Sequence, residues 1–277
     1  MTNPASIRII PNDKLHISEP NPSWFGNGAN TPSDPKWTNS NWLKSRFHFN
    51  FAEYSNSKNS GFGVLRVMND DLVQPHRGFG THPHRDMEII TYIVHGSLSH
   101  QDSMGTAESL GRGSIQFMTA GTGIQHSEFN HGDNPLRFIQ TWIVPMERGL
   151  KPNYGSYKAN HDLNKNQLQH LVGSVHDTHS SPPVKINQNT NAFAAELELG
   201  QKVVYELPKN EQGYMLCIEG GVSVNGKILK KYDACEVVDG GTMEIVATET
   251  EETENGSVAH VLLFTMTAVS NSGRKDL

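Results

Sequence analysis

The sequence predicts an all-β protein built from two copies of one barrel-like unit. Three observations carry this reading. Apolar and polar residues alternate with period two along much of the chain, glycine-centred breaks separate the alternating runs, and a block at residues 90–102 is matched in style by another at 214–226. No stretch sustains a helical stripe beyond two turns.

The first strong alternation is "SRFHFNFAEY" (45–54), which puts Phe47, Phe49 and Phe51 on one face and His48 and Asn50 on the other. Just before and overlapping it, "TNSNWLKS" (38–45) reads as a short helix. "EIITYIV" (88–94) and "RFIQTWIV" (137–144) are β-branched and aromatic, the composition of largely buried strands. The breaks between strands are "HGSLSHQDSMG", "SLGRGS", "TAGTGIQ" and "NHGDNP". Residues 146–190 are polar, include "HDTHSSPPVKINQNTN", and read as a linker that partly wraps the domains, with His176 and His179 as solvated loop residues. The predicted organisation is therefore residues 1–145, a linker over 146–190, and a second β-rich block over 191–277.

The repeat is visible in "ITYIVHGSLSHQD" (90–102) against "YMLCIEGGVSVNG" (214–226), and in "SLGRGSIQFM" against "KKYDACEVVDGG". The first pair places an apolar strand, a glycine turn and an alternating strand in the same order. The second copy has a single histidine, His260, and no His-x-His.

Composition excludes several function classes. A chain of 277 residues with 35% hydrophobic and 19% charged residues has material for one large or two medium cores. The net charge of −6 argues against binding to a phosphate backbone, which requires clustered Lys and Arg. No apolar run is long enough to cross a bilayer, and "MTNPASIRIIPNDKLH" lacks the basic start and apolar core of a secretory signal, so a cytoplasmic protein is expected. Cys217 and Cys235 fit no zinc spacing and read as reduced, buried thiols. A metal site in this chain should then be built from histidine and carboxylate.

Such a set is present. In "GFGTHPHRDMEIITYIV" (78–94), His82 and His84 stand at i and i+2, so on a strand they share a face about 6.5–7 Å apart and can converge on one ion. Pro83 between them donates no backbone N–H, which places the segment at an edge, a bulge or a strand start. In "GTGIQHSEFN" (121–130), His126 and Glu128 repeat the spacing behind a second glycine-rich turn. Three imidazoles and a carboxylate favour Fe(II), Mn, Co, Ni, Cu or Zn over Ca or Mg, and four protein ligands leave positions open on an octahedral ion. Glu88, four residues after His84, offers a second carboxylate of matching parity. His95, His100 and His131 flank the set and read as solvent-facing or supporting histidines.

The segment from "GFGTHPHRDMEIITYIVHGSLSHQD" through "SMGTAESLGRGSIQFMTAGTGIQHSEFN" resembles the N-terminal cupin of the pirin family, bicupin proteins that include bacterial quercetin dioxygenases. The resemblance extends through "NWLKSRFHFNFAEY" and "NPLRFIQTWIVPMERGLKPNYGSY", covering about residues 40–157. It implies two double-stranded β-helix (jelly-roll) barrels in tandem, with one Fe(II) held in the first by His82, His84, His126 and Glu128, and a second barrel without metal. It implies Glu128, not Glu88, as the carboxylate ligand, with Glu88 beside the pocket.

The function expected is an Fe(II) dioxygenase that opens a flavonol such as quercetin, with dioxygen as co-substrate and Glu128 taking the phenolic proton. Two other readings are compatible with the sequence. One is an iron-dependent redox sensor that binds a protein partner in transcription and can enter the nucleus; under either reading a monomer is expected. The other is an oxygen-independent cupin enzyme using zinc or manganese.

Overall fold

The computed structural model describes residues 3–28, 42–159 and 165–268. The chain divides into two compact units, residues 15–159 and residues 1–14 with 160–277. Among the described residues the regular structure is strand, apart from two short 3₁₀ turns at Asn12–Lys14 and Pro22–Phe25. No helix among them is long and apolar enough to cross a membrane.

The first strand, β1 (Ser6–Ile10), belongs to the second unit. In the first unit follow β2 (His16–Ser18), β3 (Leu43–Phe47), β4 (Leu65–Val73), β5 (Arg77–His84), β6 (Glu88–His95) and β7 (Leu98–Asp102). That unit continues with β8 (Ala107–Leu110), β9 (Ile115–Thr119), β10 (Ile124–Asn130), β11 (Leu136–Ile143) and β12 (Asn153–Tyr157). One sheet runs β12-β9-β6-β11-β4-β3-β2 and the other β5-β10-β7-β8. Trp42, Ile93, Phe138, Leu98 and Leu110, drawn from both sheets and the segment before β3, pack between them.

The second unit holds β13 (Gln169–Ser174), β14 (Val184–Ile186), β15 (Thr190–Leu197), β16 (Lys202–Leu207), β17 (Glu211–Glu219) and β18 (Gly221–Val224). It ends with β19 (Lys227–Lys230), β20 (Ala234–Val238), β21 (Gly241–Glu249), β22 (Glu251–Thr253) and β23 (Gly256–Thr267). Its sheets run β1-β20-β17-β23-β15-β13-β14 and β16-β21-β18-β19. The smaller sheet is the first unit's β5-β10-β7-β8 repeated eleven strands later. The larger matches the first unit over five places, with β1 standing where β12 stands and β23 where β11 stands, and then ends β13-β14; β22 pairs with β23 off this path. The repeat read from "ITYIVHGSLSHQD" and "YMLCIEGGVSVNG" is thus the β6–β7 and β17–β18 pairs.

Where the first unit has its histidines on β5 and β10, the second has Val203, Met243 and Ile245 on β16 and β21, all buried in the core. Cys217 and Cys235 are buried in the same core and form no disulfide.

Four expectations change. Residues 1–14 complete the second unit, because β1 pairs along its whole length with β20. The 146–190 segment is structured where described: β12 extends the first unit through β9, and β13 and β14 extend the second. His176 and His179 within it are exposed. The helix read over 38–45 falls partly outside the described residues, and Leu43–Ser45 belong to β3, where pairing with β4 overrides a weak local preference. The strand read over 45–54 stops at Phe47, although Phe49 remains buried.

Candidate metal centre

β5 is the edge of its sheet, so Pro83 lacks an N–H where no ladder partner is needed. Its other side pairs with β10, setting His82 opposite His126 and Glu128 opposite Phe79. From His126 to Glu128 is two residues but from His82 back to Phe79 is three, so β5 carries a bulge at Gly80–Thr81. The extra residue changes the side-chain parity. Phe79 and His82, which simple alternation would put on opposite faces, both line one cavity.

Gly78 permits the close approach of the two strands. A Cβ there would lie 2.4 Å from the Glu128 carbonyl oxygen and 2.6 Å from Phe129 Cα. The glycine-rich start of the motif is therefore a packing requirement of the β5–β10 pair.

The structure brings His82, His84 and His126 together. His84 Nε2 lies 2.9 Å from His126 Nε2, which lies 3.1 Å from His82 Nε2. His82 Nδ1 donates to the Gly80 carbonyl at 2.8 Å, so its Nε2 is left with a lone pair facing the cluster. Burial lowers the His84 pKa to about 4 and the His126 pKa to about 2, with the neighbouring imidazoles adding to the effect. Neutral rings crowding their Nε2 atoms at such distances cannot all be satisfied by hydrogen bonds to one another. A cation accepting the lone pairs resolves the conflict, and a nitrogen-rich donor set suits a first-row transition metal.

Glu128 is fully enclosed beneath the cluster. Its Oε1 accepts from Gln116 Nε2 at 2.8 Å and from Thr91 Oγ1 at 3.2 Å, and its Oε2 accepts from Gln140 Nε2 at 2.7 Å. The three donors stand in register across β9, β6 and β11, as Gln116, Thr91 and Gln140. Burial pushes the Glu128 carboxyl above the usual carboxylate range, against the pull of His100, His82, Gln140 and Thr91. Glu128 groups with His126 and His100, forming a second potential ligand set that shares His126 with the first. Glu128 thus neighbours the three-histidine cluster through His126.

His100 is buried on β7 opposite Glu128, hydrogen-bonds Asp102 Oδ2 at 3.1 Å, and stacks on Tyr154 with ring centroids 4.4 Å apart. His95 and His131 are exposed. Glu88 is buried and accepts from Thr119 Oγ1 at 2.9 Å, and it joins neither histidine group. Sequence reading passed over Gln116, Thr91, Gln140 and Asp71. The signal available was a lone amide, hydroxyl or carboxyl at an inward position of a buried strand, which requires a partner.

His82 and His84 stand in the wall of a cavity of about 200 Å³. Trp24, Phe25, Trp42, Phe79 and Trp142 give it an aromatic lining. His84 meets the face of Trp142 edge-on, with centroids 4.8 Å apart.

Known proteins share this arrangement of strands and motifs. A family model described as Pirin matches residues 31–143, and one described as Quercetinase C-terminal cupin domain matches residues 171–266. The chain belongs to the pirin family. Like other pirin-family chains it is a bicupin, with one cupin-type domain in each half. The quercetin 2,3-dioxygenase of Escherichia coli K12 is 35% identical over 232 residues, spanning 83% of this chain and 94% of that protein. A pirin-like protein of Caulobacter vibrioides is 36% identical over 211 residues, 76% of this chain and 90% of that one. The crystal structure of YhhW from E. coli superposes with a TM-score of 0.77 at 29% identity, over 95% of this chain and 99% of that one. The bacterial pirin YhhW in complex with nickel(II) gives 0.76 at 29% identity, over 95% of this chain and 100% of that chain.

Proposed function

We propose that this pirin is a metal-dependent dioxygenase that opens hydroxylated aromatic rings of the flavonol type. His82, His84 and His126 hold an Fe(II) ion, and Glu128 provides the fourth ligand. The observation that carries the proposal is the convergence of three imidazole Nε2 atoms, two of them on rings that line an aromatic-walled cavity. The quercetin dioxygenase relative in E. coli supports the substrate class, and the nickel(II) complex of YhhW supports a divalent cation at the centre.

Bound there, the ion supplies Lewis-acid polarisation and a point of attachment for a substrate oxygen. The chain's own residues supply the rest. The Gly80 carbonyl fixes the His82 tautomer, so the ring is oriented before anything binds. The aromatic walls exclude water and offer ring faces to a planar substrate. Glu128 takes the phenolic proton on an oxygen released from its amide donors.

The test is metal quantification combined with an oxygen-electrode assay on quercetin, comparing wild type with His84→Ala. Iron at one equivalent and oxygen uptake are expected in the wild type, and loss of both in the variant. Unchanged activity in His84→Ala, or no oxygen uptake by iron-loaded protein with any flavonol, overturns the proposal.

A further inference from the structure

Two acidic residues follow one another on β4 and have opposite fates. Asp70 accepts a bidentate pair from Arg137, with Nε to Oδ1 at 2.8 Å and Nη2 to Oδ2 at 2.7 Å. Asp71, on the other face of the strand, is 3% exposed and lines the aromatic cavity together with His82 and His84. It stands opposite Ser45 on β3, whose side chain hydrogen-bonds it, and opposite Phe138 on β11, and no cation pairs with it among the described residues. Glu128, another buried acidic group of this unit, has both oxygens occupied by donors.

A carboxyl group in an apolar pocket costs free energy unless something polar meets it. We infer that Asp71 is the group that meets a phenolic hydroxyl of the bound ring, and that it selects hydroxylated over unsubstituted aromatic ligands. The inference rests on the cavity being the substrate pocket. It assigns Asp71 to positioning and specificity, leaving proton removal to Glu128.

The chemistry suits the role. Burial pushes the Asp71 pKa up to about 8 against the pull of the Ser45 hydrogen bond, and the charges of Asp70 and Glu128 add to the rise. Near neutrality the group therefore carries its proton, presenting one O–H donor and one carbonyl acceptor side by side. A phenol can accept from the first and donate to the second. A bare ring satisfies neither and leaves the carboxyl to its contact with Ser45, which is a basis for rejecting an analogue that lacks a hydroxyl.

Binding in the absence of dioxygen tests this without turnover. Trp24, Trp42 and Trp142 line the same cavity, so tryptophan fluorescence of metal-loaded protein reports occupancy. Quercetin and unsubstituted flavone are titrated into wild type, Asp71→Asn and Asp71→Leu at pH 7. The wild type is expected to prefer quercetin, and Asp71→Leu to lose about tenfold of that preference while its flavone affinity holds. Asp71→Asn, which keeps a donor and an acceptor, retains most of the preference. Asp71→Ala takes the place of the leucine variant if that variant fails to fold. An unchanged quercetin-to-flavone ratio in the apolar variant overturns the inference alone. A wild type that binds neither compound overturns both the inference and the pocket reading beneath it.

Discussion

Gln140 on β11 donates from Nε2 to Glu128 Oε2 at 2.7 Å, across the interior of the first barrel. With Gln116 and Thr91 it occupies the carboxylate from beneath, so Glu128 is held in place by neutral donors of the facing sheet. Donors of this kind fix a carboxylate's direction and tune its affinity for a cation.

Replacing Gln140 with Leu removes one such donor and leaves Glu128 Oε2 in apolar surroundings. Metal affinity is expected to fall by about 10–100-fold, with the fold retained. Competition with a chromophoric chelator measures it. An affinity equal to wild type would show that Glu128 needs no support from β11.

Gly78→Ala is expected to weaken the centre without touching a histidine. The added methyl meets the backbone of Glu128 and Phe129 at 2.4–2.6 Å, so β5 must move away from β10. That movement separates His82 from His126. The variant should show both a lower melting temperature and a smaller upward shift on metal addition, and thermal denaturation with and without metal reads both.

Acid stability should depend on His48. Burial lowers its pKa to about 4, below the ordinary 6.5 that it regains on unfolding. The unfolded chain then binds a proton that the folded one refuses, so stability is fully present above pH 6.5 and drains away as pH falls toward 4. The size of the effect is about 3 kcal/mol at the acid end. Urea denaturation at pH 7 and pH 4 should show a smaller difference for His48→Gln than for wild type.

Arg137→Met should be strongly destabilising. It leaves Asp70 charged and buried without its bidentate partner, a loss of about 3–5 kcal/mol. The double variant Arg137→Met, Asp70→Leu should recover much of that loss, because no charge is then stranded. Chemical denaturation of the two single variants and the double checks the coupling.

The sequence alone determined that the protein is built of β-strands and that it contains two copies of one unit, and its spacings picked out three histidines that the structure brings together. Period-two alternation and glycine breaks are local signals, and the His-x-His and His-x-Glu spacings carry their own geometry. The swap of β1 into the second unit was illegible, because "SIRII" pairs with "ACEVV" more than two hundred residues away. The bulge at Gly80–Thr81 was equally hidden. It is a mismatch of register between two strands, and only the pairing of β5 with β10 turns Phe79 and His82 to the same side.

The surroundings of Glu128 follow the same logic. Gln116, Thr91 and Gln140 lie on three strands and look like isolated polar residues in apolar runs. The antiparallel registers of β9, β6 and β11 bring them into one row. Ligand types are a property of residues close together in the chain. The cavity beside them, the donors beneath Glu128, and the different fates of Asp70 and Asp71 were decided by which strands became neighbours.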